Sequence, residues 1–154
     1  MIDIIDNKDI DRKAYEQVIQ HSDILPVNAE PWFLDIICPA WKLIVWDDYK
    51  AVMPVVWNRK FGIPYVYLPP FSYSVGIYSP YEISVEVVDE FVEILWSHFR
   101  KIDLNLHPGI TPSNHFSKKM NKQELYLGLP YQYLFKHFNN STRKNIRSAR
   151  KKDI

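Results

Sequence analysis

Apolar residues recur along the chain with two different spacings, which separate predicted helices from predicted strands. Spacing by three and four, next to a capping residue or proline, is typical of amphipathic helices, whereas alternation is typical of strands covered on one face. These helical signals predict helices over 10–21, 31–38, 84–100 and 131–138, and from 141 onward. Aromatic, β-branched and alternating runs predict strands over 41–46, 50–57, 63–68, 75–78, 102–107 and 125–129. The order indicates a mixed α/β chain.

Polar residues and proline predict where the strands turn or lie at an edge. Asp47 and Asp48 beside Tyr49 predict a tight turn between the first two predicted strands. Pro54 lies inside the second of these strands and lacks an N–H donor, so we expect an edge position or a bulge there. The next turn is predicted over 58–62.

Length and composition fit one domain, because 154 residues with 47% hydrophobic content can bury a substantial core. A formal net charge of +1 gives the whole chain no basic field and argues against a nucleic-acid partner. The single cysteine, Cys38, excludes an intrachain disulfide and is expected to be a buried, inert thiol. The acidic N-terminus and the lack of a long apolar run predict a cytoplasmic protein with no membrane span.

Three segments resemble FemABX-like acyltransferases, which contain two GNAT lobes in tandem. Residues 51–65 resemble a hairpin and its following strand, and residues 68–78 resemble a proline–aromatic segment before a short strand. Residues 125–152 are similar to the end of the first lobe and the helix that opens the second. The resemblance implies an α/β (α+β) fold with a mainly antiparallel, GNAT-like central sheet flanked by helices. Residues 1–140 would form the N-terminal lobe, and 141–154 a truncated start of the second.

The implied function is transfer of an acyl or aminoacyl group to a small-molecule amine. The first lobe would bind the acceptor, and a second GNAT-like lobe would bind the donor, acyl-CoA or aminoacyl-tRNA. This lobe alone is therefore expected to hold no cofactor, to be inactive and to self-associate through its exposed lobe interface.

Two departures from the family pattern bear on the donor and the acceptor. The turn over 79–83 has no glycine, whereas a phosphate cradle at a helix start needs bare backbone N–H groups. Pro69-Pro70-Phe71 stands where members acting on cell-wall precursors carry an Arg-Gly segment, which argues against a muropeptide acceptor and an aminoacyl-tRNA donor. Two alternatives remain open: a non-catalytic binding or scaffold module, and an RNA-contacting module using the basic C-terminal helix.

Four aromatic residues are candidates for the acceptor-binding surface. Rings give contact area at low entropic cost, and tyrosine hydroxyls can orient a ligand. Tyr67, Phe71 and Tyr73 flank the stiff Pro69-Pro70 pair, and Trp32 lies on the second predicted helix. Packing between strands is the alternative explanation for these rings.

Arg143, Arg147 and Arg150 are candidates for contacting a phosphate-bearing donor. Their spacing by four and three places them on one helical face, which could equally be a solvated surface. The five histidines are scattered without metal-ligand spacing, so no metal site is predicted. His107 ends a predicted strand, where a structural role is the simplest interpretation, and no catalytic residue is assigned.

Overall fold

The computed structural model describes residues 1–22, 27–70, 72–113, 126 and 128–152. The chain divides into two compact units, Met1–Ser117 and Lys118–Ile154. The first unit is mixed α/β and the second is helical in its described part. Among the described residues, no helix is long and apolar enough to cross a bilayer.

The first unit contains six strands and three α-helices among its described residues. The strands are β1 (Ile2–Asp6), β2 (Lys42–Trp46), β3 (Ala51–Val55), β4 (Trp57–Lys60), β5 (Ile63–Tyr67) and β6 (Lys101–Asp103). The helices are α1 (Arg12–Gln20), α2 (Pro31–Ile37) and α3 (Val85–His98), with 3-10 helices at Asn7–Asp9 and Val27–Ala29. The predicted helices of this unit are confirmed, and α1 is capped by Asp11, whose carboxylate accepts from the Ala14 N–H at 3.0 Å.

Strands β1, β2 and β3 form an antiparallel sheet in that order. The sequence pattern did not predict β1, because its aspartates interrupt the apolar run. Pairing with β2 stabilises β1, because Ile4 lies opposite Ile44 and Asp6 forms an ion pair with Lys42. Pro54 lies on β3, at one end of this strand order, as its missing donor predicts.

Strands β4, β5 and β6 form a second sheet. Val56 alone separates β3 of the first sheet from β4 of the second. The prediction of a turn over 58–62 was wrong for most of its length, because β4 continues to Lys60. The turn needs only Phe61 and Gly62, whose φ angles of 52° and 79° match the left-handed conformation of a two-residue hairpin loop. Helix α3 joins the parallel strands β5 and β6.

Two isolated bridges link the predicted fourth strand to its neighbours. Val52 pairs antiparallel with Tyr78, and Val75 pairs parallel with Leu106. Residues 75–78 therefore contribute single bridges and no continuous ladder. Through these bridges the segment connects β3 to the chain that follows β6.

Alternate residues of β2 and β3 pack into two hydrophobic cores. Leu43 and Val52 belong to the core that includes Tyr15 of α1, whereas Ile44 and Met53 belong to the core that includes Phe91 of α3. All five residues of β3 are buried, as expected for a strand covered on both faces. Each fully buried large side chain contributes about 1.5–3 kcal/mol relative to exposure.

Cys38 directly follows α2 and is buried, as its apolar setting predicts. Its side chain is 7% exposed, and its Sγ donates to the Trp57 carbonyl oxygen at 3.4 Å. The thiol thus connects the end of α2 to the first residue of β4.

The second unit contains α4 (Tyr131–His137) and α5 (Asn140–Arg150), which confirm two predicted helices. Asn139 caps α5, since its Oδ1 accepts from the Thr142 N–H at 2.8 Å. The strand predicted over 125–129 falls partly outside the described residues, and residues 128–130 are irregular. No residue described in α4 or α5 is buried.

Candidate functional site

Three of the four predicted acceptor-binding aromatics lie among the described residues, and Phe71 lies outside them. Tyr67 ends β5, is half-buried, and has its ring centroid 5.7 Å from that of Tyr65. Burial raises the pKa of its phenol, with the nearby Cys38 and Tyr65 adding to the effect. Tyr67 therefore packs partly against the core.

Trp32 and Tyr73 are more exposed and better placed to meet a ligand. Each is 56% exposed. Trp32 lies in the first turn of α2, edge-on to Phe33 at 5.9 Å between centroids, while the Tyr73 carbonyl accepts from Asn105 Nδ2 at 3.2 Å. No ring-to-ring contact is found among Trp32, Tyr67 and Tyr73 within the described part of the chain.

A buried hydrogen bond ties together the two segments that carry Trp32 and Tyr73. Asn28 Nδ2 donates to the Ser74 carbonyl oxygen at 2.6 Å, and Asn28 is only 8% exposed. The bond joins the 3-10 turn that precedes α2 to the residue that follows Tyr73. Asn28 and Ser74 are 46 positions apart in the sequence, so the sequence alone does not predict the hydrogen bond between them.

Ser74, Tyr78 and His107 form a buried polar cluster, here named the His107 network. Ser74 Oγ lies 2.8 Å from His107 Nδ1, and the Tyr78 hydroxyl lies 3.1 Å from His107 Nε2. The three residues are 5%, 2% and 6% exposed, so both hydrogen bonds exclude bulk water. Burial raises the pKa of Tyr78 strongly, which keeps its hydroxyl protonated. The network orients the imidazole from both sides.

Gly76 permits the close packing of this network. A Cβ atom at Gly76 would lie 1.9 Å from His107 Cδ2, well inside van der Waals contact. Sequence reasoning identified His107 by its place at a strand end but missed Ser74 as its partner. Gly76, which lies between Ser74 and Tyr78, was the sequence feature that could have indicated this contact, because a glycine can mark the place where another part of the chain approaches the backbone closely.

The start of α3 already holds a negative charge. Glu86 lies in the first helical turn, and a hydrogen bond from Ser84 lowers the pKa of its carboxyl group. Its carboxylate thus occupies the electropositive end of the helix dipole, where a bound phosphate would otherwise be stabilised.

Comparison of the chain with protein-family models, curated proteins and solved structures found no match. The described residues contain no group of three or more His, Cys, Asp or Glu side chains that could hold a metal ion.

The second unit carries a basic face along α5. One stripe of the helix lines an open concavity of about 670 Å³. The lining residues are Asn140, Arg143, Lys144, Arg147, Ser148 and Lys151. Two of the three predicted phosphate contacts, Arg143 and Arg147, belong to this stripe.

Arginine–aromatic contacts connect α4 and α5. The Arg147 guanidinium lies 5.6 Å from the centroid of Phe135, and that of Arg150 lies 5.2 Å from the centroid of Tyr131. Arg150 therefore stacks on α4 rather than lining the concavity with Arg143. Such contacts contribute about 0.5–1 kcal/mol each at exposed sites.

Proposed function

We propose that the chain serves as the acceptor-binding lobe of a two-lobe, GNAT-like N-acyltransferase of the FemABX type. The observation that carries the proposal is the order of elements in the first unit. Helices α1 and α2 come between the antiparallel strands β1 and β2, and α3 joins the parallel strands β5 and β6. That order supports a mixed α/β lobe, although its strands form two three-stranded sheets in place of the single central sheet that the resemblance implies.

The lobe would bind and orient the amine while a second lobe presents the acyl donor. The amine nitrogen would attack the acyl carbonyl carbon, forming a C–N bond as the C–S or C–O bond to the carrier breaks. The proton lost by the amine would pass to the departing thiolate or alkoxide, directly or through a base or water. Holding the two reactants in this geometry is the main catalytic contribution asked of the lobe.

The exposed aromatic residues near the start of α2 support an acceptor surface. Trp32 and Tyr73 offer ring faces, and the Asn28–Ser74 bond fixes the two backbone segments that carry them. Exposed aromatic rings suit an alkyl ammonium group, because ring faces attract cations. The negatively charged start of α3 supports placing the donor's phosphates elsewhere.

Tryptophan fluorescence can test this proposal with the chain alone. Titration with primary amines of several classes, including lysine, polyamines and amino sugars, should give saturable quenching for at least one class. Trp32→Ala should weaken that binding at least tenfold. Trp96→Ala is the matched control, since Trp96 is 50% exposed on α3 and should leave the amine affinity unchanged.

Two outcomes would count against the acceptor-binding role. Failure of every amine class to saturate, with a folded protein, would favour the alternative of a non-catalytic scaffold module. Saturable binding of acetyl-CoA, measured by calorimetry, would contradict the assignment of the donor to a second lobe. Acyl transfer itself is expected only when the chain is joined to a donor-binding lobe.

A further inference from the structure

The net charge of +1 conceals a strong separation of charge between the two units. Residues 1–117 contain nine Lys or Arg against sixteen Asp or Glu, a net charge of −7. Residues 118–154 contain ten against two, a net charge of +8. The second unit therefore carries the positive charge that attracts a nucleic acid, although the whole chain is nearly neutral.

We propose that the basic face of α5 binds the phosphodiester backbone of a single-stranded nucleic acid. Four of the six residues lining the concavity are cationic: Arg143, Lys144, Arg147 and Lys151. Residues 126–152 contain no Asp or Glu, so no neighbouring acid in this stretch neutralises the cations. The inference does not depend on the acyltransferase proposal.

The length of the basic face favours a polymer backbone over an isolated nucleotide. The row from Arg143 to Lys151 spans eight residues, or about 12 Å at the helical rise of 1.5 Å per residue. A polynucleotide repeats its phosphate at every nucleotide, so a row of this length can contact more than one phosphate of the same strand. A pyrophosphate would occupy only part of it, and the face is open rather than enclosed.

Partly exposed rings on α4, the helix that contacts Arg147 of the basic face through Phe135, supply the second element of single-strand recognition. Tyr131 is 47% exposed and Tyr133 is 51% exposed, both on α4. Bases stack on such rings without regard to sequence. The Arg147 guanidinium lies over the Phe135 ring and carries five N–H donors, the pattern that suits phosphate oxygens.

Fluorescence anisotropy with the whole chain and a labelled fifteen-nucleotide RNA tests the inference. We expect log K to fall with log salt at a slope of about −3, from four contacts at about 0.7 each for single strands. The double variant Arg143→Gln/Lys144→Gln should weaken binding at least tenfold and reduce the slope by about 1.4. Neither side chain stacks on a ring of α4, so the helix pair should be retained, which circular dichroism can verify.

The matched control removes two cations from the first unit. Arg59→Gln/Lys60→Gln lowers the net charge equally, at exposed positions of β4, and should change the affinity less than twofold. Equal loss in both double variants, or no salt dependence, would overturn the inference. Competition by polyglutamate as effective as that by RNA would favour an acidic protein partner and also refute it.

Competition experiments distinguish a nucleic-acid backbone from a free nucleotide as the source of the phosphate. Their outcome is independent of the amine titration. Inhibition by micromolar CoA would assign the face to a nucleotide donor and overturn the inference. Single-stranded DNA bound as tightly as RNA would support recognition of the phosphodiester backbone that the two polymers share. Loss of RNA binding with amine quenching intact, or the reverse, would reject one proposal without affecting the other.

Discussion

Gly76 offers the sharpest test of the His107 network, because a single methyl group there should be costly. The Cβ of Gly76→Ala would lie 1.9 Å from His107 Cδ2, so the imidazole would have to move. Overpacking in a core costs about 1–3 kcal/mol. Displacing the ring would also strain the bonds to Ser74 and Tyr78, and each buried polar group left unpaired costs about 1–3 kcal/mol. We expect a total of about 3 kcal/mol.

Urea unfolding followed by tryptophan fluorescence measures this effect. With an m-value of about 1–3 kcal/mol/M, the midpoint should fall by at least about 1 M. His107→Ala alone should also destabilise the chain, because it leaves two buried hydroxyls without their ring partner. In the double variant the methyl group has room, so Gly76→Ala should add less than about 1 kcal/mol.

A double-mutant cycle therefore separates a clash from a general loss of stability. We expect a coupling free energy of at least about 2 kcal/mol between Gly76→Ala and His107→Ala. Gly62→Ala is the control, since nothing lies within 4 Å of its Cβ and its φ is +79°. Its cost, about 1 kcal/mol from backbone strain, should add independently. Additive behaviour at Gly76, or a neutral Gly76→Ala, would refute the packing argument.

Three other changes should alter stability in stated directions. Phe61→Asn should raise the melting temperature by a few degrees, because Phe61 is 92% exposed at a positive φ that asparagine tolerates better; a lower melting temperature would contradict this. Burial raises the phenol pKa of Tyr15 and Tyr78, so their contribution to stability should be complete below pH 10 and decline above it, seen as a fraction of the total phenolate absorbance that appears only with unfolding. Asp35→Ala should cost about 1–3 kcal/mol in denaturant unfolding by leaving the buried Trp41 Nε1 donor unpaired, whereas Asp35→Asn keeps an acceptor and should cost less than about 1 kcal/mol.

The helices and most strands were predictable from the sequence because their signals are local. Caps, prolines and apolar spacing act within a few residues, as Asp11 and Asn139 illustrate. Strand β1 was missed because its support comes from pairing with β2, a contact about 40 residues away. The turn at 58–62 was overestimated because a polar sequence can continue as a strand when its side chains face solvent.

The candidate sites were predictable only where one helix carries them. Spacing along α5 predicted the shared face of Arg143 and Arg147, but the stacking of Arg150 on Tyr131 depends on where α4 lies. The contact between Ser74 and His107 joins positions 33 residues apart and follows from the bridge between Val75 and Leu106. The fold positions such groups, and no pattern in either segment alone indicates the pairing.

The buried thiol of Cys38 makes the chain a convenient reporter of its own local opening. Cys38 is the sole cysteine, and its sulfur is hydrogen-bonded to the Trp57 carbonyl oxygen. A thiol reagent can therefore react only after the contact between Cys38 and Trp57 has opened. The rate of modification under native conditions, compared with that of a free thiol, then gives the free energy of this local opening directly. The native Cys38 side chain thus reports the stability of the contact between the end of α2 and the first residue of β4, without an engineered cysteine.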